Sequence, residues 1–394
     1  AAAPTSTGRD ELLLLGGNAA LSGRPEDEAR LAERPLRAGR FSHGPEEYEH
    51  PKAAVFRLFG NLDDIFDQIW NATVPREMQL GDERRWVSHH MIAMRDGAKL
   101  STIVIRPTLK EGERRPALLS RSPYGPTSDE IAALFTASNG YVAVIQDQRG
   151  TFLSQGKFSM WQNDGADGTD TMAWIAAQPW SDGSVFSAGI SADGCGAFTQ
   201  MIEAPKQLRG QFLMLASANA HETIFPGGAF RQGLVEGWMT SMSLFTRGKS
   251  LTHTLPDIMR HEALSSWYDT VEIDAYLKQV AWPTVHLTAW WDIFVGHQMR
   301  AFDGLRAESH PDVRDEHVIF VGPYGHCELG NLLSRPHVSY NEAKAWVNSF
   351  GYAMELFRGE HGSFRQKARR VNFFVQGLYE PDGLKVDAAT FGRP

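Results

Sequence analysis

The sequence predicts an α/β fold in which a mostly parallel sheet is flanked by helices. Short apolar runs rich in β-branched residues alternate with helical segments, and this alternation indicates parallel strands whose crossovers cover both faces of the sheet. A chain of 394 residues, of which 42% are apolar, can bury a sizeable core without disulfides.

The net charge of −8 argues against nucleic acid as the main partner, because phosphate binding needs clustered Lys and Arg. No apolar run is long enough to cross a bilayer.

The predicted strands begin after an N-terminal segment of different character. Residues 1–85 are charged and rich in Ala and Leu, and we expect a helical arm there that includes Asp63–Trp70. Arg95-Asp96-Gly97 then separates two apolar runs, and Asp-Gly in that setting is typical of a β-hairpin. The predicted strands are Val87–Met94, Leu100–Arg106, Ala117–Ser120, Tyr141–Gln146, Val185–Ile190, Gln211–Ala216, Thr284–Ala289 and His317–Val321. The predicted helices between them are Glu130–Ala137, Thr169–Ala177 and Gly194–Ile202.

The alternation of strands and helices is interrupted by residues 219–282, which contain helical pieces and many aromatic side chains. We therefore predict a helical cap insertion there, between two parts of the core at 86–218 and 283–394. A helical insert at the edge of such a sheet is favoured as a lid over a site at the strand ends. A second layer of core is the alternative, because the aromatic residues suit both.

A candidate nucleophile lies where a predicted strand turns into a helix. Ser191 stands within Gly189-Ile190-Ser191-Ala192-Asp193-Gly194, and a serine at such a sharp turn has its hydroxyl lifted above the sheet. The small neighbours suit the crowded backbone, and the N-terminus of the following helix favours a developing oxyanion. A Gly-rich turn capped by serine would show the same local pattern, so the motif alone does not establish the chemistry.

Candidate partners for Ser191 follow two later strands. A hydroxyl nucleophile needs a base, and the base needs an orienting acid. Asp292 follows the strand Thr284–Ala289, and His326 follows His317–Val321. The order Ser, Asp, His along the chain is that of the α/β hydrolases. The sequence thus predicts an α/β-hydrolase fold with these three residues as its catalytic triad.

The spaced motifs of the chain resemble those of the CocE/NonD hydrolases, which include cocaine esterase, X-prolyl dipeptidyl-peptidases, α-amino-acid ester hydrolases and glutaryl-cephalosporin acylases. The resemblance extends from about Arg95 to about Gly377, and the motifs occur in order. They are Arg95-Asp96-Gly97, Ser122-Pro123-Tyr124, Gln146-Asp147-Gln148-Arg149-Gly150, Ser154-Gln155-Gly156, Gly189-Ile190-Ser191 with Gly194, Trp291-Asp292, and Gly322-Pro323-Tyr324-Gly325-His326.

The resemblance implies a role for each site residue. It implies Ser191 as nucleophile, His326 as base and Asp292 as the acid that orients it. It also implies that the hydroxyl of Tyr124 and the backbone N–H of Ala192 bind the oxyanion. The motif containing Asp147 and Arg149 is expected to brace the loops around the site. No metal or organic cofactor is expected.

Two departures from the family pattern affect these expectations. The family usually has tyrosine directly after the nucleophile, where this chain has Ala192. It also usually has a C-terminal jelly-roll domain, of which only Val371–Gln376 resembles the opening strand, and the chain stops at Pro394. We therefore expect either a compact variant or a chain that lacks this domain. The pocket would then be open, or closed by another element such as the N-terminal arm.

The expected activity is hydrolysis of a small-molecule ester, with an amide as the second choice. Peptidases of this family need a carboxylate for the substrate ammonium, and Asp193, Glu222 and Glu236 are candidates without a distinctive placement. An acylase, a non-hydrolytic acyltransferase and a catalytically silent binding protein on the same fold also remain open. Whether the protein is a monomer or a homo-oligomer is also left open by the sequence.

The two cysteines and the N-terminus bear on the compartment. Cys195 lies one helical turn after Ser191 and Cys327 is next to His326, so an assembled triad would bring them into one neighbourhood. Two free thiols are favoured, and a disulfide is the alternative. The start Ala1-Ala2-Ala3-Pro4 is compatible with signal-peptide cleavage or with a cloning remainder, and we expect a secreted or periplasmic protein rather than a cytoplasmic one.

Overall fold

The computed structural model describes residues 34–36, 85–125, 140–326 and 340–373. Within these ranges the strands are β1 Arg34–Leu36, β2 Arg85–Ala93, β3 Lys99–Pro107, β4 Arg115–Ser122, β5 Val142–Asp147, β6 Ser181–Ile190, β7 Leu208–Met214, β8 Thr284–Trp291, β9 Val318–Gly325 and β10 Val371–Phe373. The helices are α1 Asp164–Ala176, α2 Ala192–Glu203, α3 Ala220–Ile224, α4 Gln232–Met242, α5 Leu255–Met259, α6 Val295–Glu308, α7 Tyr340–Phe357 and α8 Ser363–Lys367.

The strands form one sheet in the order β1-β2-β3-β5-β4-β6-β7-β8-β9-β10. The pairs β1–β2, β2–β3 and β3–β5 are antiparallel, whereas each neighbouring pair from β5 to β10 is parallel. The predicted mostly parallel sheet flanked by helices is thus confirmed. Because the carboxyl ends of parallel strands meet at one edge, the residues after β4, β6, β8 and β9 share that edge.

The predicted hairpin connects β2 to β3. Met94 and Ala98 close it through a backbone hydrogen bond of 2.8 Å, and Gly97 takes a φ of +85° that an L side chain rarely adopts. The backbone N–H of Arg95 donates to Asp170 on α1 at 2.7 Å, and its guanidinium donates to Glu203 at the end of α2 at 3.1 Å. The turn is therefore tied to both helices that flank the nucleophile strand.

Alternation along the strands divides the core between the two faces of the sheet. On β7, Leu213 packs into a cluster with α1 and α2, whereas its neighbours Phe212 and Met214 pack into another cluster with α7. Successive side chains of a strand point to opposite faces, so a continuous apolar run supplies both clusters. Strands with apolar side chains on both faces need cover on both faces, as the sequence predicted.

Residues 219–282 pack into the first of these clusters rather than standing apart from it. The cluster contains apolar side chains from α3, α4 and the turns that follow, together with strand residues such as Val142 and Val144. The buried side chains of residues 219–282 in this cluster include those of Ile224, Phe225, Val235, Met239, Met242, Ile258, Tyr268, Val271, Ile273, Leu277, Val280 and Trp282. The segment thus contributes apolar side chains to the core, and its role as a cap over the site stays a prediction.

Two short strands near the chain ends join the main sheet. Arg34–Leu36, within the expected helical arm at 1–85, pairs antiparallel with β2. Val371–Phe373 pairs parallel with β9, so it extends the main sheet. The remainder of residues 1–84 lies outside the described residues, as do the predicted helices Asp63–Trp70 and Glu130–Ala137. In the described part of the chain, no helix combines the length and apolarity needed to span a membrane.

Two buried histidines, His286 on β8 and His317 just before β9, both contact the Thr284 hydroxyl at the start of β8. The backbone N–H of Thr284 donates to Nδ1 of His317 at 3.2 Å, so Nε2 carries the proton and donates to Ser309 at 2.9 Å. His286 bonds the hydroxyl of Thr284 at 2.8 Å. Burial lowers the pKa of His286 to about 3 and that of His317 to about 4, from an ordinary value of 6.5. Both rings are therefore neutral in the folded protein at pH 7.

We expect these histidines to make the protein sensitive to acid. Because the pKa of each histidine is depressed in the fold, its contribution to stability is fully present above pH 6.5 and is lost as pH falls toward about 4 for His317 and about 3 for His286. Each ring should account for about 1.4 kcal/mol of unfolding free energy per pH unit in that interval. Urea unfolding at pH 7.5 and pH 5 measures the effect.

A matched pair of variants tests the assignment. His317→Gln removes one buried titrating group and should reduce the loss of stability between the two pH values. His310→Gln replaces a histidine whose side chain is 52% exposed and should keep the wild-type pH dependence. Equal pH dependence in both variants would contradict the prediction.

Candidate active site

Ser191 forms the turn between β6 and α2 in a backbone conformation that serine rarely adopts. Its φ is +56° and its ψ is −124°, and a non-glycine residue in this region costs roughly 1–3 kcal/mol. The backbone N–H of Ser191 donates to Met214 of β7 at 2.9 Å, and its carbonyl accepts from Cys195 at 2.9 Å. Contacts on both sides therefore hold the strained turn.

Glycine is required on both sides of this turn. A Cβ at Gly189 would lie 2.5 Å from the carbonyl carbon of Asp193, and one at Gly194 would lie 2.6 Å from the Cβ of Ala216. Real Cβ atoms do not approach other atoms so closely, so β6 and α2 can meet here only through glycine. The Gly-x-Ser-x-x-Gly pattern is thus explained by packing.

The three residues predicted as a triad lie together. Each directly follows a strand, with Ser191 after β6, Asp292 after β8 and His326 after β9. Ser191 Oγ is 2.7 Å from His326 Nε2, and His326 Nδ1 is 2.6 Å from Asp292 Oδ2. A carboxylate only accepts hydrogen bonds, so Nδ1 carries the ring proton and Nε2 is free to accept one from Ser191.

The neighbours of Asp292 and His326 fix their orientation. Asp292 is 4% exposed, and its Oδ1 accepts from the backbone N–H of Phe294 at 2.7 Å. The ring of Phe294 stands edge-on to the His326 imidazole, with centroids 5.0 Å apart. The histidine is therefore held between a buried acceptor and an apolar wall.

The predicted oxyanion donors lie at the same edge of the sheet. Ala192 is the first residue of α2, where a backbone N–H has no acceptor within the helix. Tyr124 follows β4, which pairs with β6. Burial, above all, raises the pKa of the Tyr124 hydroxyl, and the nearby Asp193 carboxylate raises it further, whereas hydrogen bonds with Trp238 and Ser191 oppose the rise. Tyr124 therefore stays protonated at neutral pH and able to donate.

Trp238 is a site residue that the sequence did not single out for a role. Its indole N–H, on α4, donates to Tyr124 Oη at 2.8 Å. The sequence placed Trp238 among the aromatic residues of 219–282 without assigning it a contact. Nothing in its local pattern could have identified Tyr124 as its partner, because the two are 114 residues apart.

Arg149 braces the loops below the site, as predicted. It donates to Asp167 on α1 at 2.9 Å and to Asp96 of the β2–β3 turn at 2.6 Å. Arg121, which is 3% exposed, pairs with Asp164 at 2.5 Å and lies 3.6 Å from Asp167. Burial raises the pKa of Asp164 to about 6, and the charge of Arg121 opposes it.

The three carboxylates proposed for a substrate ammonium lie in different surroundings. Asp193 is buried in the first turn of α2 and acts electrostatically on Tyr124. Glu222 is paired with Arg300. Glu236 is on α4 and accepts from Gln232 at 2.9 Å. Of the three, Asp193 is thus the one whose charge acts on a predicted site residue.

Cys195 is a free thiol in the structure, in agreement with the favoured expectation, and Cys327 lies outside the described residues. The sulfur of Cys195 accepts a hydrogen bond from the backbone N–H of Ser217 at 3.3 Å. Burial raises the pKa of the Cys195 thiol to about 12, so it carries no thiolate at neutral pH. Across the described ranges, no three His, Cys, Asp or Glu side chains gather as metal ligands.

Comparison with known sequences places this site in a family. Residues 96–328, more than half of the chain, match the family described as X-Pro dipeptidyl-peptidase (S15 family). The chain is 26% identical to a cocaine esterase of Rhodococcus sp. (strain MB1 Bresler) over 346 residues, which are 74% of this chain and 58% of that protein. It therefore spans less than two thirds of this relative.

Solved structures share the fold. A CocE/NonD family hydrolase from Staphylococcus aureus aligns over 76% of this chain and 55% of its own, with a TM-score of 0.60 and 18% identity. An aminopeptidase from a marine sediment archaeon, Thaumarchaeota archaeon, aligns over 77% of this chain and 59% of its own, with a TM-score of 0.57 and 18% identity.

These matches confirm the α/β-hydrolase fold and the resemblance to the CocE/NonD hydrolases that the spaced motifs indicated. The match from 96 to 328 includes Tyr124, Ser191, Asp292 and His326. With more than half of its length matched, this chain belongs to the X-Pro dipeptidyl-peptidase (S15) family.

Proposed function

We propose that the chain is a serine hydrolase that cleaves an ester bond in a small molecule through an acyl-enzyme. The observation that carries the proposal is the continuous hydrogen-bonded series from Asp292 through His326 to Ser191, with distances of 2.6 and 2.7 Å. A binding protein has no physical need for this series, whereas nucleophilic catalysis needs each of its members. Family membership supports the same class of reaction.

In the proposed first step, Ser191 Oγ attacks the substrate carbonyl while His326 Nε2 takes its proton. Asp292 stabilises the imidazolium, because its Oδ2 accepts the hydrogen bond from Nδ1. The leaving alcohol then receives the proton from His326, and an ester of Ser191 remains. Water, deprotonated by the same histidine, attacks this ester and releases the acid.

The negative oxygen of each tetrahedral intermediate would lie between two donors. One is the Tyr124 hydroxyl, which burial keeps protonated. The other is the Ala192 N–H, at the positive end of α2. Such donors lower the barrier because they bind an oxyanion that the ground state lacks. In the same scheme, residues 219–282 act as a cap, since Trp238 from α4 reaches Tyr124.

An α-amino acyl substrate is a second candidate, favoured by one observation. Asp193 is a carboxylate, 3% exposed, whose charge acts on Tyr124. A substrate ammonium close to it would gain an ionic partner in a site of low dielectric constant. An acylase, an acyltransferase and a silent binding protein are outcomes that the experiments below distinguish.

We expect Ser191→Ala to reduce kcat by at least about a thousandfold without unfolding the protein, because the nucleophile is lost. Hydrolysis of p-nitrophenyl esters measures the rate, and circular dichroism checks the fold. A fluorophosphonate probe should label the wild type and not the variant. A wild type that binds neither ester nor probe would support the silent binding protein instead.

We expect Tyr124→Phe to lower kcat by about 10- to 100-fold while KM changes little, since the hydroxyl acts on the oxyanion rather than on the ground state. Steady-state kinetics with the same esters separate the two constants. An unchanged kcat would assign Tyr124 a structural role in the turn after Pro123.

We expect p-nitrophenyl esters to be cleaved faster than amino-acid p-nitroanilides, because an amide nitrogen must be protonated as it leaves. If Asp193 holds an ammonium, Asp193→Asn should raise KM for α-amino acyl esters and leave acetyl esters unaffected. Equal effects on both substrates would remove the second candidate. Added alcohol acceptors that divert the product to a new ester would identify an acyltransferase.

A further inference from the structure

The indole of Trp238 supplies a hydrogen bond of fixed direction to Tyr124. Indole Nε1–H is a donor and never an acceptor, and it lies 2.8 Å from Tyr124 Oη. The phenol oxygen therefore accepts at this contact, and its own proton must point elsewhere. Ser191, the proposed nucleophile, lies 2.7 Å from His326 Nε2.

These contacts define one direction of donation. Nε2 of His326 is an acceptor, because Nδ1 holds the ring proton against Asp292. Ser191 therefore donates to His326, and Tyr124 accepts from Trp238. Because an indole N–H can only donate and a carboxylate can only accept, neither of these two sets of contacts can reverse its direction.

Trp238 is held rigidly enough to impose this direction. Its ring stacks on Trp161, with centroids 5.4 Å apart and an angle of 23° between planes. Phe158 meets it edge-on, with a centroid distance of 5.9 Å. Aromatic pairs of this kind restrict rotation of the indole.

We propose that Trp238 is a positioning residue of the oxyanion site, whose N–H keeps the Tyr124 hydroxyl proton directed at the reacting carbonyl oxygen. This inference rests on the proposed hydrolase function and deepens it. A phenol hydroxyl without such a partner rotates to whichever acceptor is near, so its donor is not always available to the oxyanion. The Trp238 N–H also polarises the phenol O–H, which strengthens the bond that it donates.

Trp238→Phe tests the proposal, because it keeps a ring in the stack and removes the N–H. We expect kcat to fall about tenfold, less than the ~100-fold loss on removing an oxyanion donor outright. KM should stay within about twofold, since the effect is on the transition state. A Trp238→Phe variant with the kcat of the wild type would overturn the proposal.

Trp161→Phe is the matched control. Trp161 occupies the other half of the same stack, but its Nε1 has no hydrogen-bond partner within the described ranges. The control therefore loses the same ring area without losing a hydrogen bond to Tyr124. It should keep the kcat of the wild type, and an equal loss in both variants would assign the effect to packing and overturn the proposal.

A double-mutant cycle separates positioning from a structural role. In a Tyr124→Phe background there is no hydroxyl to orient, so adding Trp238→Phe should change kcat little. A further tenfold loss in that background would mean that Trp238 acts by another route. If Trp238→Phe does not fold, benzothienylalanine at position 238, in which sulfur replaces the N–H of an isosteric ring, provides the same comparison.

The outcomes distinguish failure of this inference from failure of the proposed function. A wild type without esterase activity, or a Ser191→Ala variant that retains it, would contradict the proposed function. An active wild type that is impaired by Tyr124→Phe and unaffected by Trp238→Phe would leave the function intact and contradict the role of Trp238 alone.

Discussion

The sharp turn between β6 and α2 is the constraint on which the rest of the site depends. The backbone reverses at Ser191 with a φ of +56°, and the approach of strand to helix is so close that Gly189 and Gly194 have no room for a Cβ. This geometry presents the serine hydroxyl at the sheet edge and leaves the Ala192 N–H without a helical acceptor. The parallel neighbours β8 and β9 then deliver Asp292 and His326 to the same edge.

The arrangement of Ser191, Asp292 and His326 could be predicted from the sequence because it combines local signals with one general rule. Each residue directly follows an apolar run that forms a strand. The carboxyl ends of neighbouring parallel strands converge whatever the intervening chain contains. The β2–β3 hairpin could be predicted for a similar reason, since its turn is specified by adjacent residues.

Contacts between distant segments could not be predicted in this way. Trp238 and Tyr124 are 114 residues apart, and the aromatic residues of 219–282 fitted a lid and a core equally well. Val371–Phe373 has three residues and forms a strand through pairing with β9, which its local sequence does not specify. In both cases the structure of the segment depends on the distant residues that it contacts, and not on its own sequence alone.

The charged network below the site restricts how this chain can change over evolutionary time. Arg121 and Arg149 share Asp167, and Asp164 and Asp96 complete the set. Replacing one of the buried members Arg121, Asp164 and Asp167 would leave an opposite charge poorly paired in the interior, which costs far more than losing the whole set to apolar residues of similar volume. If these buried residues are replaced one at a time, each intermediate sequence carries an unpaired buried charge and folds poorly. The motif around Arg149 can therefore persist through changes of substrate, and its presence in a sequence reports on ancestry and folding rather than on chemistry.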